Sequence, residues 1–214
     1  MCGLFGFVAK REDSKLNLKI LGRIAVNTQK RGRHAWGMAW VNRAGEVKSF
    51  KQTGPIGDAL GMLTLAEDAT MLIGHCRYAT HGDPADNRNN HPHAMADGFV
   101  VHNGVIRHYQ RLLLEFGLQP RTECDSEVLP LLIDKLRGRS MFDRACKAAC
   151  LAKGDSPFAM MALTSEALFV ARANYQPLHV GETGQGIYLA SLPDALPGDP
   201  TELPANQMIH YGNA

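Results

Sequence analysis

The sequence lacks the features that mark membrane, secreted and nucleic-acid-binding chains. No apolar run approaches the roughly 20 residues that a bilayer-spanning helix requires. The N-terminus also has no basic stretch followed by an apolar one, as a secretory signal would have. The net charge is only +2 over 214 residues, with no basic stripe interleaved with aromatic residues. We therefore expect no membrane partner, no nucleic-acid partner and a cytoplasmic location.

Cysteine is scarce as well, with five residues that are odd in number and widely scattered. This pattern argues against a disulfide framework and favours a reducing compartment. Repeats, low-complexity tracts and linkers are also lacking, whereas 45% of the residues are apolar, an ordinary share for a globular protein. The sequence therefore predicts a single domain over residues 1–214.

The predicted strands come in groups and the predicted helices in pairs, instead of alternating one by one. Apolar runs predict strands in LFGFVA, WGMAWV, TMLIGHC, GFVVH, PFAMMAL and ALFVARA. Helical spacing predicts helices in LNLKILGRIAVNTQKRG, stopping at Gly32, in HYQRLLLEFG, closed by Gly117, in EVLPLLIDKLRG and in FDRACKAACLAKG. Asp125 or Ser126 is the predicted N-cap of the third helix. This order predicts an antiparallel α+β fold built in layers.

Cys2 stands directly behind the initiator methionine. If Met1 is removed, one residue carries both a nucleophilic thiol and an α-amine, whose pKa is ordinarily about 7.7–8.0. An amine with that pKa can act as a general base near neutral pH. On position alone, however, a cysteine at the start of a strand is more often a small buried apolar residue. The rest of the sequence has to decide between these interpretations.

Three polar clusters follow predicted strands or open a predicted helix, in GHCRYATHG, VVHNGVI and TECDSE. Each is ordinary when taken singly, since Asn-Gly is a common turn and aspartate a common N-cap. Together they fit amide hydrolysis of a small amino acid. Arg77 can bind an α-carboxylate, Asp125 an α-ammonium group, and Asn103 with the Gly104 N–H an oxyanion. Cys2 would be the nucleophile and its own amine the base.

Six motifs occur in the same order as in the class II glutamine amidotransferases. They read MCGLFG, RGRHAWG, GHCRYATHG, NNHPH, VVHNGVI and ECDSEVL. The chain most resembles the glutaminase domain of glucosamine-6-phosphate synthase, and the likeness covers essentially its whole length. The resemblance implies a four-layer αββα sandwich of the N-terminal nucleophile hydrolase type. It also implies hydrolysis of L-glutamine to glutamate and ammonia through a γ-glutamyl thioester on Cys2.

The resemblance also assigns roles to residues. Arg77 would bind the substrate α-carboxylate and Asp125 its α-ammonium group, with Asn103 and Gly104 as the oxyanion hole. Two further groups of residues are implied. Thr80 and His81 would line the glutamine pocket in a loop, residues 77–82, that closes over substrate, while Arg31, Gly32, Tyr78 and His102 would support the site. His91 also matches a family position and would support the site at most.

Three residues depart from the family pattern. Tyr78 replaces the tryptophan of the sugar-synthase pattern, and in this the sequence is similar to the phosphoribosyl-amidotransferase branch. Cys76 stands where threonine is usual, and His34 replaces an aspartate. We also expect a single amidotransferase domain with no attached synthase domain. The ammonia acceptor would then be a synthase partner in trans, and no cofactor is expected.

Three other interpretations remain open from the sequence. One is an amidase of the same fold that acts on another amide, although the Arg77 and Asp125 pair fits a free amino acid. Another is a catalytically silent glutamine-binding or regulatory subunit, which a retained Met1 would produce. The third is a metal site, disfavoured because CxxC or HExxH spacing is lacking. Its candidate ligands are His75, Cys76, His81, His91 and His93.

Overall fold

The computed structural model describes residues 1–212, which form two antiparallel sheets between two outer layers of helices. The first sheet has the spatial order β11 (Thr201–Glu202), β9 (His179–Glu182), β10 (Gly186–Ala190), β1 (Gly3–Ala9), β4 (Ala69–Arg77), β2 (Ala35–Asn42) and β3 (Val47–Thr53). The second has the order β12 (Gln207–Gly212), β8 (Ala167–Ala173), β7 (Phe158–Thr164), β6 (Gly98–Gly104) and β5 (His93–Met95).

The helices cover the outer faces of the sheets. On the first sheet lie α1 (Leu18–Thr28) and a 3₁₀ segment (Ile56–Ala66). On the second lie α2 (Tyr109–Phe116), α3 (Val128–Lys135) and α4 (Met141–Lys153). Among residues 1–212, no helix combines the length and the apolar character needed to cross a membrane. The four layers have the arrangement that the family resemblance implies.

Two local sequence signals set helix ends. The Asn17 side chain accepts hydrogen bonds from the backbone N–H groups of Lys19 and Ile20 and so caps α1. Gly117 ends α2 in the left-handed conformation, at φ +59°, which glycine adopts without steric cost. The Gly117 end is the one predicted from the sequence, whereas α1 ends at Thr28 and a 3₁₀ turn, Gln29–Arg31, precedes the predicted stop at Gly32.

Alternation of side chains along β1 builds two different cores. Phe5 and Phe7 belong to the core beneath α1, whereas Leu4 and Val8 belong to the core between the two sheets. Cys2 lies just before β1 and, by the same alternation, shares the face of Leu4. The nucleophile candidate is therefore carried on the side of the first sheet that faces the second.

The same alternation operates in β6. Val101 packs in the core between the sheets, and Asn103 follows it two residues later on the same face. Asn103 and Gly104 end β6, just as Cys2 precedes β1. Cys2, Asn103 and Gly104 thus lie at the same edge of the two packed sheets.

Candidate active site

A cleft of about 290 Å³ opens at this edge, and five of the predicted site residues line it: Cys2, Tyr78, Thr80, Asn103 and Gly104. These residues come from three separate parts of the chain, so the packing of the two sheets brings them together. Thr80 lies in the loop that follows β4, and its side chain is exposed. The cleft combines a thiol, a hydroxyl and a carboxamide.

The Arg-Gly pair before β2 holds the backbone around the thiol. Arg31 Nε donates a hydrogen bond of 2.7 Å to the Cys2 carbonyl oxygen. Gly32 packs on the end of β4 so closely that a Cβ there would lie 2.4 Å from the Arg77 carbonyl carbon. A larger residue at Gly32 would therefore displace the strand end that adjoins Cys2.

The environment of Cys2 keeps its thiol protonated. Burial raises the pKa of the Cys2 thiol, and this effect outweighs the backbone N–H of Tyr78, which donates to Sγ at 3.3 Å and lowers that pKa. The charge of Arg77 also lowers the Cys2 pKa, whereas the charge of Asp125 raises it. A nucleophile in this state needs a base to remove its proton.

Asn103 gives the cleft a hydrogen-bond donor without a partner among the described residues, and Gly104 brings its backbone close to that of Pro157. Asn103 is 1% exposed, and its Nδ2 has no hydrogen-bond partner within the described residues. An unpaired buried donor costs about 1–3 kcal/mol, which a ligand oxygen would recover. Gly104 has φ +153°, and a Cβ there would lie 2.3 Å from the Pro157 carbonyl oxygen. Only glycine fits this position.

Arg77 is buried and holds the loop that follows β4. Its Nη1 donates to Asn90 Oδ1 at 2.7 Å, and its Nη2 donates to the backbone oxygens of Gly82, at 3.1 Å, and of His81. Arg77 is 2% exposed and is not part of the cleft lining. A substrate carboxylate would have to replace some of these backbone acceptors.

Asp125 is also buried, and His81 links it to Arg77. Its Oδ2 accepts a hydrogen bond of 2.6 Å from the Ile106 backbone N–H, and its Oδ1 lies 3.6 Å from His81 Nδ1. The prediction that Asp125 or Ser126 caps the third helix is wrong. A 3₁₀ turn, Asp125–Glu127, precedes α3, and no side chain caps either segment. The Asp125 carboxylate instead turns away to the Ile106 backbone.

Two of the departures from the family pattern contact each other. The His34 ring stacks on the Tyr78 ring, with centroids 5.0 Å apart, and His34 Nδ1 accepts a hydrogen bond of 3.0 Å from the Ala79 backbone N–H. Both contacts hold the start of the loop after β4. The third departure, Cys76, points to the opposite face of β4, with Sγ 3.9 Å from the Ala25 carbonyl oxygen of α1. Cys76 is therefore remote from the cleft.

His102 is a buried neutral side chain behind Asn103. It is 1% exposed, its Nδ1 is 2.8 Å from Ser126 Oγ, and its ring packs on Phe158. Burial lowers the pKa of His102 from 6.5 to about 4.

This shift predicts acid destabilisation. The unfolded chain binds a proton at His102 below about pH 6.5, whereas the folded protein does so only near pH 4, so the free energy of unfolding falls across that window. At pH 5 the loss from this residue is about 2 kcal/mol. Urea denaturation at pH 7.5 and pH 5 measures it. The His102→Gln variant should lose about 2 kcal/mol less than the parent, and equal losses would contradict the assignment.

The metal site considered from the sequence is not assembled as a set. Alternation along β4 sends His75 to the second sheet, where Nε2 lies 3.0 Å from the His102 carbonyl oxygen, and sends Cys76 to α1. His81 lies beside Asp125. His91 and His93 do lie close to each other.

The sequence reasoning assigned no role to Gln176, which also lines the cleft. Its side chain is 2% exposed, and its Nε2 has no partner within the described part of the chain. Gln176 follows Asn174 and Tyr175, which have φ of +52° and +66°. Two successive non-glycine residues in that conformation are unusual. Residue types alone do not predict this turn, and so they do not predict that Gln176 lines the cleft.

Comparison with known proteins identifies the family. A model of the family described as "Glutamine amidotransferase domain" matches residues 75–198. Glutamine–fructose-6-phosphate aminotransferase (isomerizing) of Geobacillus kaustophilus is 33% identical over 187 residues, or 85% of this chain and 30% of the relative. The protein of the same name from Clostridium acetobutylicum is 32% identical over 197 residues, or 89% of this chain and 31% of the relative. The chain thus spans about a third of these relatives.

The solved structures agree on the fold. A glutamine phosphoribosylpyrophosphate amidotransferase from B. subtilis superposes with a TM-score of 0.76 at 22% identity, over 100% of this chain and 49% of that one. The likeness confirms the sandwich fold that the sequence resemblance implies. The fold, the family model and the two relatives lead to the same assignment: the chain belongs to the class II glutamine amidotransferases, enzymes of the N-terminal nucleophile hydrolase type.

Proposed function

We propose that this domain hydrolyses L-glutamine with Cys2 as the nucleophile. The observation that carries the proposal is the cleft itself. A thiol at the start of β1 and the unpaired carboxamide Nδ2 of Asn103 line the same small cleft between the sheets. Acyl transfer requires a nucleophile and an oxyanion donor placed in this way.

The reaction begins once removal of Met1 frees the Cys2 α-amine. The amine takes the thiol proton, and Sγ attacks the γ-carbonyl carbon of glutamine. The negative charge that forms on the carbonyl oxygen is bound by Asn103 Nδ2 and the Gly104 N–H. The ammonium returns the proton to the leaving nitrogen, the C–N bond breaks and ammonia departs. Water then attacks the thioester with the amine again as base, and glutamate and the free thiol result.

Substrate binding in this proposal uses two buried charged residues and two residues of the loop after β4. Arg77 pairs with the α-carboxylate, Asp125 with the α-ammonium group, and Thr80 and His81 line the pocket. Because Arg77 donates to the backbone oxygens of His81 and Gly82 in the free protein, glutamine exchanges one set of acceptors for another. The loop over residues 77–82 therefore rearranges when substrate enters.

The ammonia acceptor is proposed to be a synthase partner acting in trans. The rim of the cleft is open, with Tyr78 49% exposed, so ammonia released there would be protonated and lost in water. A partner that docks over the rim would prevent this loss. Glutaminase assays with candidate synthases should show a faster rate with the true partner, and a rate that no candidate changes would count against transfer in trans.

The proposal is tested by intact mass before and after exposure to 6-diazo-5-oxo-L-norleucine, an electrophilic glutamine analogue. We expect the mass of the chain without Met1 plus one adduct, and no adduct in the Cys2→Ser variant. The exposed Cys150 serves as the matched control, since Cys150→Ser should keep the adduct. A retained Met1 with no adduct would instead indicate a silent binding subunit. An adduct that excess glutamine does not prevent would indicate an amidase for another amide.

A further inference from the structure

Four histidines form a buried cluster behind the cleft, in the space beside β4, β5 and β6. The buried histidine cluster consists of His75, His91, His93 and His102. The His75 and His91 rings stack with centroids 4.0 Å apart, and the His91 and His93 rings meet edge to face at 4.4 Å. None of these contacts is used by the proposed hydrolysis of glutamine.

Several nitrogens of this cluster lack partners. His91 is 3% exposed, yet neither Nδ1 nor Nε2 has a hydrogen-bond partner within the described residues. His93 is 4% exposed, and its Nε2 is likewise unpaired. Buried polar atoms are nearly always satisfied in folded proteins, so several orphaned imidazole nitrogens in one place require an explanation.

A thiol completes the cluster. Cys124 is 5% exposed and has no disulfide partner. One ligand atom each from His91, His93 and Cys124 lie within 4.8 Å of one another. Bond lengths of about 2.0–2.3 Å to a central cation correspond to separations of about 3.3–3.8 Å. Side-chain rotations that bring these atoms closer by about 1 Å would therefore complete a three-ligand shell.

We propose that His91, His93 and Cys124 bind a thiophilic d¹⁰ cation, Cu⁺ or Zn²⁺. Two neutral imidazoles and a thiolate are the ligands that such ions prefer. Cys124 releases its proton to solvent when the metal–sulfur bond forms. The orphaned nitrogens then receive the partner that they lack in the free protein.

Charges of both signs lie beside the site. Lys51 lies beside the site, with Nζ 2.7 Å from the Asn90 carbonyl oxygen and 3.4 Å from the Pro92 carbonyl oxygen. Lys51 and the buried Arg77 both act electrostatically on His93. Cu⁺ with a thiolate adds no net charge next to these cations, whereas Zn²⁺ adds one positive charge. The Asp125 carboxylate acts on Cys124 and the Glu127 carboxylate acts on Lys51, so anions offset these cations and the proposal covers both ions.

An entry path reaches the site from solvent. His93 lines an open cleft of about 660 Å³ that is separate from the cleft at Cys2. The acidic side chains of Glu127 and Asp134 also line it. A cation therefore has a route to His93 that does not cross the proposed glutamine pocket.

The test uses the full chain as Cys2→Ser, Cys146→Ser, Cys150→Ser, so that only two buried thiols remain. The reduced protein is titrated without oxygen with Cu⁺ against bicinchoninate, and separately with Zn²⁺ against a chromophoric chelator. We expect one equivalent of at least one cation. We also expect a metal-dependent rise in the unfolding midpoint. X-ray absorption of the loaded protein should show two nitrogen ligands and one sulfur ligand.

Variants decide whether the proposed residues bind the cation. Cys124→Ser and, separately, His93→Gln should weaken binding at least about 100-fold, whereas Cys76→Ser, the other buried thiol, should change it less than about 3-fold. Circular dichroism of each metal-free variant checks that it folds. The proposal is overturned if neither cation binds at one equivalent, or if binding survives both ligand substitutions. Ordered water would then be the partner of the orphaned nitrogens.

Discussion

Replacing Cys2 with alanine should lower kcat for glutamine hydrolysis by about 10⁴-fold or more, because removal of a covalent nucleophile leaves only binding and oxyanion stabilisation. The fold should be retained, since Cys2 precedes β1 and its side chain is only partly buried. The measurement is ammonia release at saturating glutamine, with thermal unfolding as the check on folding.

The matched control for this variant is Cys150→Ala. Cys150 is an exposed thiol on α4 and does not line the cleft, so its loss should leave kcat unchanged. If Cys2→Ala keeps more than about a tenth of the parent kcat, the nucleophile is another group. The amide would then be hydrolysed by direct attack of water, and the role of the α-amine would need to be reconsidered.

Replacing Asn103 with alanine should lower kcat by about 10²–10³-fold and change KM little, because an oxyanion donor acts mainly in the transition state. In the free protein, Asn103 Nδ2 is buried and has no hydrogen-bond partner among residues 1–212. Its removal therefore breaks no hydrogen bond at that atom, and the free energy of unfolding should fall by less than the loss of a paired amide would cause. Steady-state kinetics and urea denaturation of the same sample separate the two effects.

Asn27 provides a control with the same local property elsewhere. Its Nδ2 is also buried and unpaired, but Asn27 lies in α1 and does not line the cleft. Asn27→Ala should therefore leave kcat and KM close to the parent values. A rise in KM with unchanged kcat for Asn103→Ala would show uniform substrate binding instead of an oxyanion role.

The elements and the order of the motifs were predictable because each depends on residues close in sequence. Apolar runs located β1, β4 and β6, and Gly117 marks a helix end because glycine readily adopts the left-handed conformation. The convergence of Cys2 and Asn103 on one edge followed from the family resemblance. The sequences of β1 and β6 alone do not show that the start of β1 lies beside the end of β6.

Features that depend on long-range packing were not predictable. Asp125 sits where an N-cap is common, but the backbone of Ile106, from another part of the chain, supplies its partner. His34 and Tyr78 each depart from the family pattern, and the sequence does not show that their rings contact each other. Likewise, Cys124 approaches His91 and His93 through packing that is distant in sequence, in which α3 lies against β5.

The pairing of β1 has a consequence for the biosynthesis of the protein. Every residue to which we assign a chemical step is made before residue 126, yet β1 pairs on one side with β10, Gly186–Ala190. Ser191 closes this pairing, since its N–H donates to the Leu4 carbonyl oxygen and its Oγ accepts from the Leu4 N–H. A nascent chain on the ribosome therefore already contains all of these residues while β1 still lacks its neighbour β10. We therefore expect the nascent chain to hydrolyse glutamine only after β10 has been translated and has paired with β1.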